Sequence, residues 1–150
     1  MKRFAFRLER ILEWRRSRME DEQRALERLL AERARLEAQH ARLEAALQRA
    51  RRSVSEAAAR DGALNGETLV ALENFSRSVR HEQERLAERR AETDRRIWAQ
   101  RARLIAARRD FRLLEKLRTR AHQAWERDYA RELEALASEL YLARWPGRSG

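Results

Sequence analysis

Asp61-Gly62-Ala63-Leu64-Asn65-Gly66 is the stretch on which the fold turns, because two glycines and an Asn-Gly step fall within six residues. Gly reaches positive φ without strain and costs a helix about 1 kcal/mol relative to Ala, so the chain is expected to break here. Long charged runs free of Pro and Gly lie on either side. The pattern predicts an all-α protein: a long antiparallel two-helix coiled-coil hairpin whose C-terminal helix overhangs. It forms a single domain over 1–150, with a helix over about 6–60, a turn at 61–66, a helix over about 67–144 and a frayed tail at 145–150.

Stepping alternately by four and three from Leu8 passes through Leu12, Arg15, Met19, Glu22, Leu26, Leu29, Arg33, Leu36, His40, Leu43, Leu47, Ala50 and Val54. Such a stripe, sustained over this span, keeps one face toward a partner helix. Arg15, Glu22, Arg33 and His40 interrupt it as polar seam residues of the kind that set register. The second helix has Asn65 as N-cap and Glu67 in its first turn. Its seam runs through Leu69, Leu72, Val79, Leu86, Ile97, Leu104, Ala107, Phe111 and Leu114. Beyond Leu117 the phase shifts to Trp125, Tyr129, Leu133, Leu136 and Leu140, and Pro146-Gly147 stops the helix.

At a rise of 1.5 Å per residue the first arm is on the order of 80 Å and the second about 115 Å. Folded about Leu64, Glu20-Asp21-Glu22 falls opposite Arg108-Arg109, and everything after about Arg127 is left without a partner. Tyr129, Leu133, Leu136, Leu140 and Trp145 then form an uncovered apolar stripe, the usual mark of a contact site.

Composition narrows the function classes. Of the 150 residues 40% are charged, the formal net charge is +10, and mean hydropathy is −0.90. High charge and few aromatics also describe disordered chains, but the sustained periodicity argues for helices. The absence of Cys excludes disulfides and thiol chemistry. Charges at Arg7, Glu9 and Arg10 interrupt any signal-peptide core, and no apolar run spans a membrane. His40, His81 and His122 are scattered, and Glu37-x-x-His40 lacks the second copy that a di-iron site needs. No enzymatic activity, catalytic residue, cofactor or metal is expected.

Between Arg95 and Arg120 ten basic residues stand against Asp110 and Glu115, with Trp98 and Phe111 interleaved. This density invites a nucleic-acid reading. Against it, acids on the facing arm neutralise part of the stripe, no docking motif is present, and the basic residues surround the helix. A basic nucleic-acid-binding coiled coil, or a purely structural rod, is the alternative class.

The opening Phe4-Ala5-Phe6-Arg7-Leu8-Glu9-Arg10-Ile11-Leu12 resembles the Phe-x-Phe-Arg-Leu-Glu start of FliJ-type flagellar export proteins. Leu114-Glu115-Lys116-Leu117 with Arg120, and Trp125 to Tyr129 followed by Glu132 and Glu134, are similar to that family's later segments. The loop from Gly62 to Leu72 leading to Phe75 is similar to its hairpin turn. Ala137-Ser138-Glu139 differs, since many members carry Asp-Glu there.

The resemblance implies a non-enzymatic, stalk-like component of the flagellar type III export apparatus. It implies a cytoplasmic protein, peripheral at the cytoplasmic face of the inner membrane, whose membrane contact is indirect. The implied partners are the hexameric export ATPase, the export gate membrane protein and export chaperones, with no specific nucleic acid. Carried onto this chain, the ATPase-binding end is Phe6, Leu8, Leu12, Leu133, Leu136 and Leu140. The gate-binding positions are Phe75 and Val79, faced by Leu43 and Leu47, for which a seam role is also expected.

Overall fold

A computed structural model describes residues 2–63, 65–145 and 147. Two helices, α1 (Glu9–Asp61) and α2 (Gly66–Arg144), account for nearly all of them, with no strand among the described residues. Two long helices joined by a short break are consistent with a helical hairpin. The tail expected at 145–150 lies mostly outside the described residues, as does Leu64 of the turn.

The break is built as the local chemistry requires. Gly62 closes α1 at φ +72°, and its amide donates to the Ala58 carbonyl at 2.9 Å. That left-handed conformation after the last helical turn is one that only Gly adopts cheaply. Asn65 caps α2: its side-chain oxygen accepts from the Glu67 amide at 3.1 Å, and its carbonyl accepts from the Leu69 amide at 3.1 Å.

The helices divide into two compact units. One joins the described residues of Met1–Asp21 and Ile105–Gly150, and the other is Glu22–Leu104. In the second unit, Leu36 and Leu47 from α1 and Val79, Leu86, Ile97 and Leu104 from α2 are buried. Leu47 is 0% exposed. Most of the expected α1 stripe is buried or half-buried, with His40 as the exception. His40 instead rims a groove of about 160 Å³ floored by Leu36, Leu86 and Ala87. Leu69, expected in the α2 seam, is exposed close to the turn.

Polar residues complete this seam. Gln83, Thr93 and Gln100 are buried, and each has a partner. Gln83 donates to Glu44 Oε2 at 2.9 Å and accepts from Arg80 at 2.8 Å. Gln100 donates to the Glu22 carbonyl at 2.9 Å and to the Glu22 carboxylate. Thr93 returns its hydroxyl to the Arg89 carbonyl at 3.0 Å. Arg33 lies 3.2 Å from Asp94 and 3.3 Å from Glu37, and Arg90 lies 3.0 Å from Glu37. Arg33 Nε makes these approaches off the hydrogen-bond line, as ion pairs. Partners on α2 descend in number as those on α1 rise, from Glu22 with Gln100 to Glu44 with Arg80. Glu22, expected opposite Arg108-Arg109, thus meets Gln100.

In the first unit α1 begins at Glu9, three residues later than the periodicity predicts. Residues 2–8 leave the helix because Phe4, Phe6 and Leu8 half-bury their side chains outside it. Leu12 and Phe111 are buried, Arg15 pairs with Asp110 at 3.1 Å, and Arg118 pairs with Glu9 at 2.9 Å.

The Glu44 carboxyl is held below the ordinary glutamate pKa, first by the Gln83 hydrogen bond, then by Gln48, with Arg80 adding to both against a desolvation cost. A depressed folded-state pKa gives stability that is fully present above the unfolded value and lost as pH falls through the folded one. The difference in urea midpoint between wild type and Glu44→Gln is therefore expected to be largest near neutrality and to close as pH falls below the ordinary carboxylate range. Gly62→Ala should cost about 1 kcal/mol, although the space around Gly62 is open, because an L-residue is strained at that φ. Leu47→Ala should cost about 2–5 kcal/mol. Chemical denaturation checks both.

Candidate functional site

Every described residue from Glu126 to Trp145 is exposed. Leu133 is 49% exposed, Leu136 54% and Leu140 67%, and Tyr129 continues the row. Their spacing of four, three and four places them on one side of α2, and nothing among the described residues covers the three leucines. Tyr141, Leu142 and Trp145 are exposed as well, and Tyr141 lies 6.4 Å from Trp145 ring to ring. The helix persists here because its nucleus is formed upstream and Ala, Leu, Glu and Arg propagate it well. A weak ion pair, Arg131 with Asp128 at 3.8 Å, adds little.

The base of this stretch is clasped by residues 2–8. Phe4 meets His122 edge-on at 4.8 Å and Trp125 at 6.0 Å. Trp125 stacks on Tyr129 at 5.3 Å and donates its indole N–H to the Lys2 carbonyl at 3.2 Å. Arg118 lies over the Phe4 ring at 5.9 Å while holding Glu9. The N-terminal clasp reaches as far as the Trp125–Tyr129 stack. Periodicity alone did not reveal it, since Leu8, Leu12 and Arg15 keep helical spacing. The sequence signal is an aromatic residue, Phe4, before the stripe begins, with His122 and Trp125 late in the chain to receive it.

The other expected site residues divide by burial. Leu12, Leu47 and Val79 lie in the helix–helix core and have no surface to offer a partner unless the helices separate. Phe6, Leu8 and Leu43 are half-buried. Phe75, 40% exposed, does present its ring to solvent, and Leu69 and Val70 toward the turn are exposed with it. The surface available near the turn is thus Phe75 with Leu69 and Val70, the last two not expected from the sequence.

Of the two aromatic residues interleaved with the basic run, Trp98 is exposed and Phe111 is buried beneath Arg16, whose guanidinium lies 5.4 Å from the ring. Phe111 therefore cannot stack on a base. Among the described residues no group of three His, Asp or Glu is placed to hold a metal ion. No helix among them is long and apolar enough to cross a membrane. Comparison with protein-family models, with curated proteins and with solved structures gave no match.

Replacing Phe4 by Ala removes the ring that joins His122, Trp125 and Arg118. Tryptic cleavage after Arg3 and Arg7 should then accelerate by about tenfold, the equivalent of 1.4 kcal/mol of lost docking, while cleavage elsewhere stays unchanged.

Proposed function

We propose that this chain is an antiparallel coiled-coil stalk with an overhanging C-terminal helix, acting without catalysis in a flagellar type III export apparatus. In this role the overhang and the N-terminal clasp engage the export ATPase ring, and the turn-proximal end reaches toward the export gate and its chaperones. The protein would work at the cytoplasmic face of the inner membrane, touching the membrane only through that gate.

One observation carries the proposal: Leu133, Leu136 and Leu140 stand exposed in a row on a helix that is otherwise fully formed. An apolar row of this kind gains free energy only when covered, and the lumen of a protein ring or a groove in a partner domain covers a single helix well. Descending residue pairs between α1 and α2 support the antiparallel arrangement. The resemblance of Phe4–Leu12 and of Leu114–Glu134 to FliJ-type proteins supports the biological setting. Within the family-derived sites, burial favours Leu133, Leu136, Leu140 and Phe75 as contact residues and gives Leu12, Leu47 and Val79 to the core.

Leu133→Ser combined with Leu136→Ser should remove stimulation of the export ATPase while leaving helicity by circular dichroism intact. Retained stimulation by that variant would sink the assignment of the overhang. Leu47→Ala is the contrasting change, expected to lower stability with little direct effect on ring binding.

A further inference from the structure

Ile105, Arg108, Arg109, Arg112, Leu113 and Lys116 line one groove of about 320 Å³. Their spacing (i, i+3, i+4, i+7, i+8, i+11) puts all six on a single face of α2. So part of the basic run forms a face after all and does not simply surround the helix. An adjoining depression of about 400 Å³ adds Arg120 and Thr119, together with Glu115 as its one acid. Ile105 is 66% exposed and Leu113 55%.

The cations of this face are not neutralised within it. Some exposed arginines of α2 are held by an acid on their own helix, as Arg77 is by Glu73, Arg85 by Glu82 and Arg95 by Glu92. Arg108, Arg109, Arg112, Lys116 and Arg120 have no ion pair or hydrogen bond among the described residues. Asp110, the acid within the run, is already engaged by Arg15 at 3.1 Å. Five unneutralised cations therefore surround two exposed aliphatic side chains.

We infer that this face is a docking site for an acidic amphipathic helix of a partner protein, laid along α2 from Ile105 to Arg120. Ile105 and Leu113 would receive the partner's apolar row, and the flanking cations would pair with Glu or Asp on either side of it. This is the pattern by which a coiled-coil seam is flanked by complementary charges. The groove-lining span, at 1.5 Å per residue, is on the order of 17 Å, which a partner of about three turns would cover. Two features separate this occupant from the other polyanions. No aromatic ring lines the groove, so a nucleic acid would find phosphate contacts but no stacking platform, and the aliphatic residues would gain nothing. A lipid surface is flat, and α2 is anchored by its opposite face through Phe111 and Leu114, which leaves too little apolar surface to sink into a headgroup layer. The site is separate from the Leu133–Leu140 row and does not depend on the role proposed for that row.

Fluorescence anisotropy with the full chain tests the site. The probes are a designed helix of about 20 residues, with Leu at helical spacing flanked by Glu, the same residues scrambled, and a random single-stranded DNA of similar length. Vesicles of phosphatidylcholine and phosphatidylglycerol are assayed by co-sedimentation. The designed helix should bind, and scrambling should weaken it by about tenfold, since charge is kept while the apolar row is lost. Arg112→Glu with Lys116→Glu should weaken it by at least about tenfold, and Leu113→Ser by severalfold. Arg127→Glu, outside the groove, should leave it unchanged. All of these side chains except the half-buried Arg108 are exposed, and matching urea midpoints establish that the variants fold. If the double reversal loses stability, Arg109→Gln with Leu113→Ser takes its place. Failure of the designed helix to bind, or equal binding of the scrambled peptide, overturns the inference. So does tighter binding of DNA or vesicles that Leu113→Ser does not weaken. Self-association of the full chain that Leu113→Ser abolishes would reassign the face to a second copy.

Discussion

Two helices packed against each other have one shared seam and no other interior, and everything else in this protein follows from that limit. Each helix can hide a stripe about one side chain wide. In the Glu22–Leu104 unit that stripe contains Leu36, Leu47, Val79, Leu86, Ile97 and Leu104, with Gln83, Thr93 and Gln100 set among them. Apolar side chains alone would permit sliding by a heptad, because leucine packs acceptably against leucine in either alignment. The polar members do not permit it. Moving Gln100 away from Glu22, or Gln83 away from Glu44, leaves a buried amide without a partner, at a cost of about 1–3 kcal/mol each. The polar seam thus contributes more to alignment than to net stability, which is the usual standing of such groups.

That use of the acids shapes the outside of the molecule. The chain has 25 Asp and Glu against 35 Lys and Arg, so acids are the scarcer partner. Several are spent across the helix pair: Glu9 on Arg118, Asp110 on Arg15, Glu37 on Arg90 and Glu44 on Arg80. Where the outward face of α2 then lacks a local Glu three or four residues away, its cations go unneutralised. Arg95 and Arg96 find Glu92, whereas Arg108 and Arg109 have no acid at that spacing and Glu115, three residues beyond Arg112, makes no ion pair with it. The basic face is a consequence of how the seam consumes negative charge, combined with a run that contains only Asp110 and Glu115.

Much of this is legible in the order of the amino acids. Gly62 and Asn65 mark the break because their conformational and capping chemistry is local, and the leucine stripe marks the buried faces because its period is fixed by helix geometry. What was not legible depends on tertiary contact. Leu8 continues the stripe in register, yet α1 starts at Glu9, because Phe4 packs against the α2 aromatics His122 and Trp125 from outside the helix. Gln83, Thr93 and Gln100 occupy seam steps that a hydrophobic scan passes over. Leu69 and His40 fit the spacing but lie exposed, near the turn and beside a small Ala87 respectively. Leu12, Leu47 and Val79 look the same in sequence whether they serve a core or a partner, and only burial separates the two.

The C-terminal part of α2 shows why exposed leucines there are informative while a single exposed leucine elsewhere is not. From Glu126 to Arg144 no residue is buried, and the helix holds through propensity and through continuity with the packed turns before it. A helix sustained in this way could be written entirely in Ala, Glu and Arg. Leu133, Leu136 and Leu140 add almost nothing to that local stability and leave apolar area in water, at roughly 25 cal/mol per Å² uncovered. Their regular spacing sets them apart from scattered surface leucines. Glu126, Glu132 and Glu139 lie nearest this row, with Arg144 as the one cation beside it, whereas the groove at Ile105–Lys116 is lined by cations. Charge of differing balance around two apolar surfaces on one helix is the arrangement by which two partners, if both surfaces take one, would be told apart.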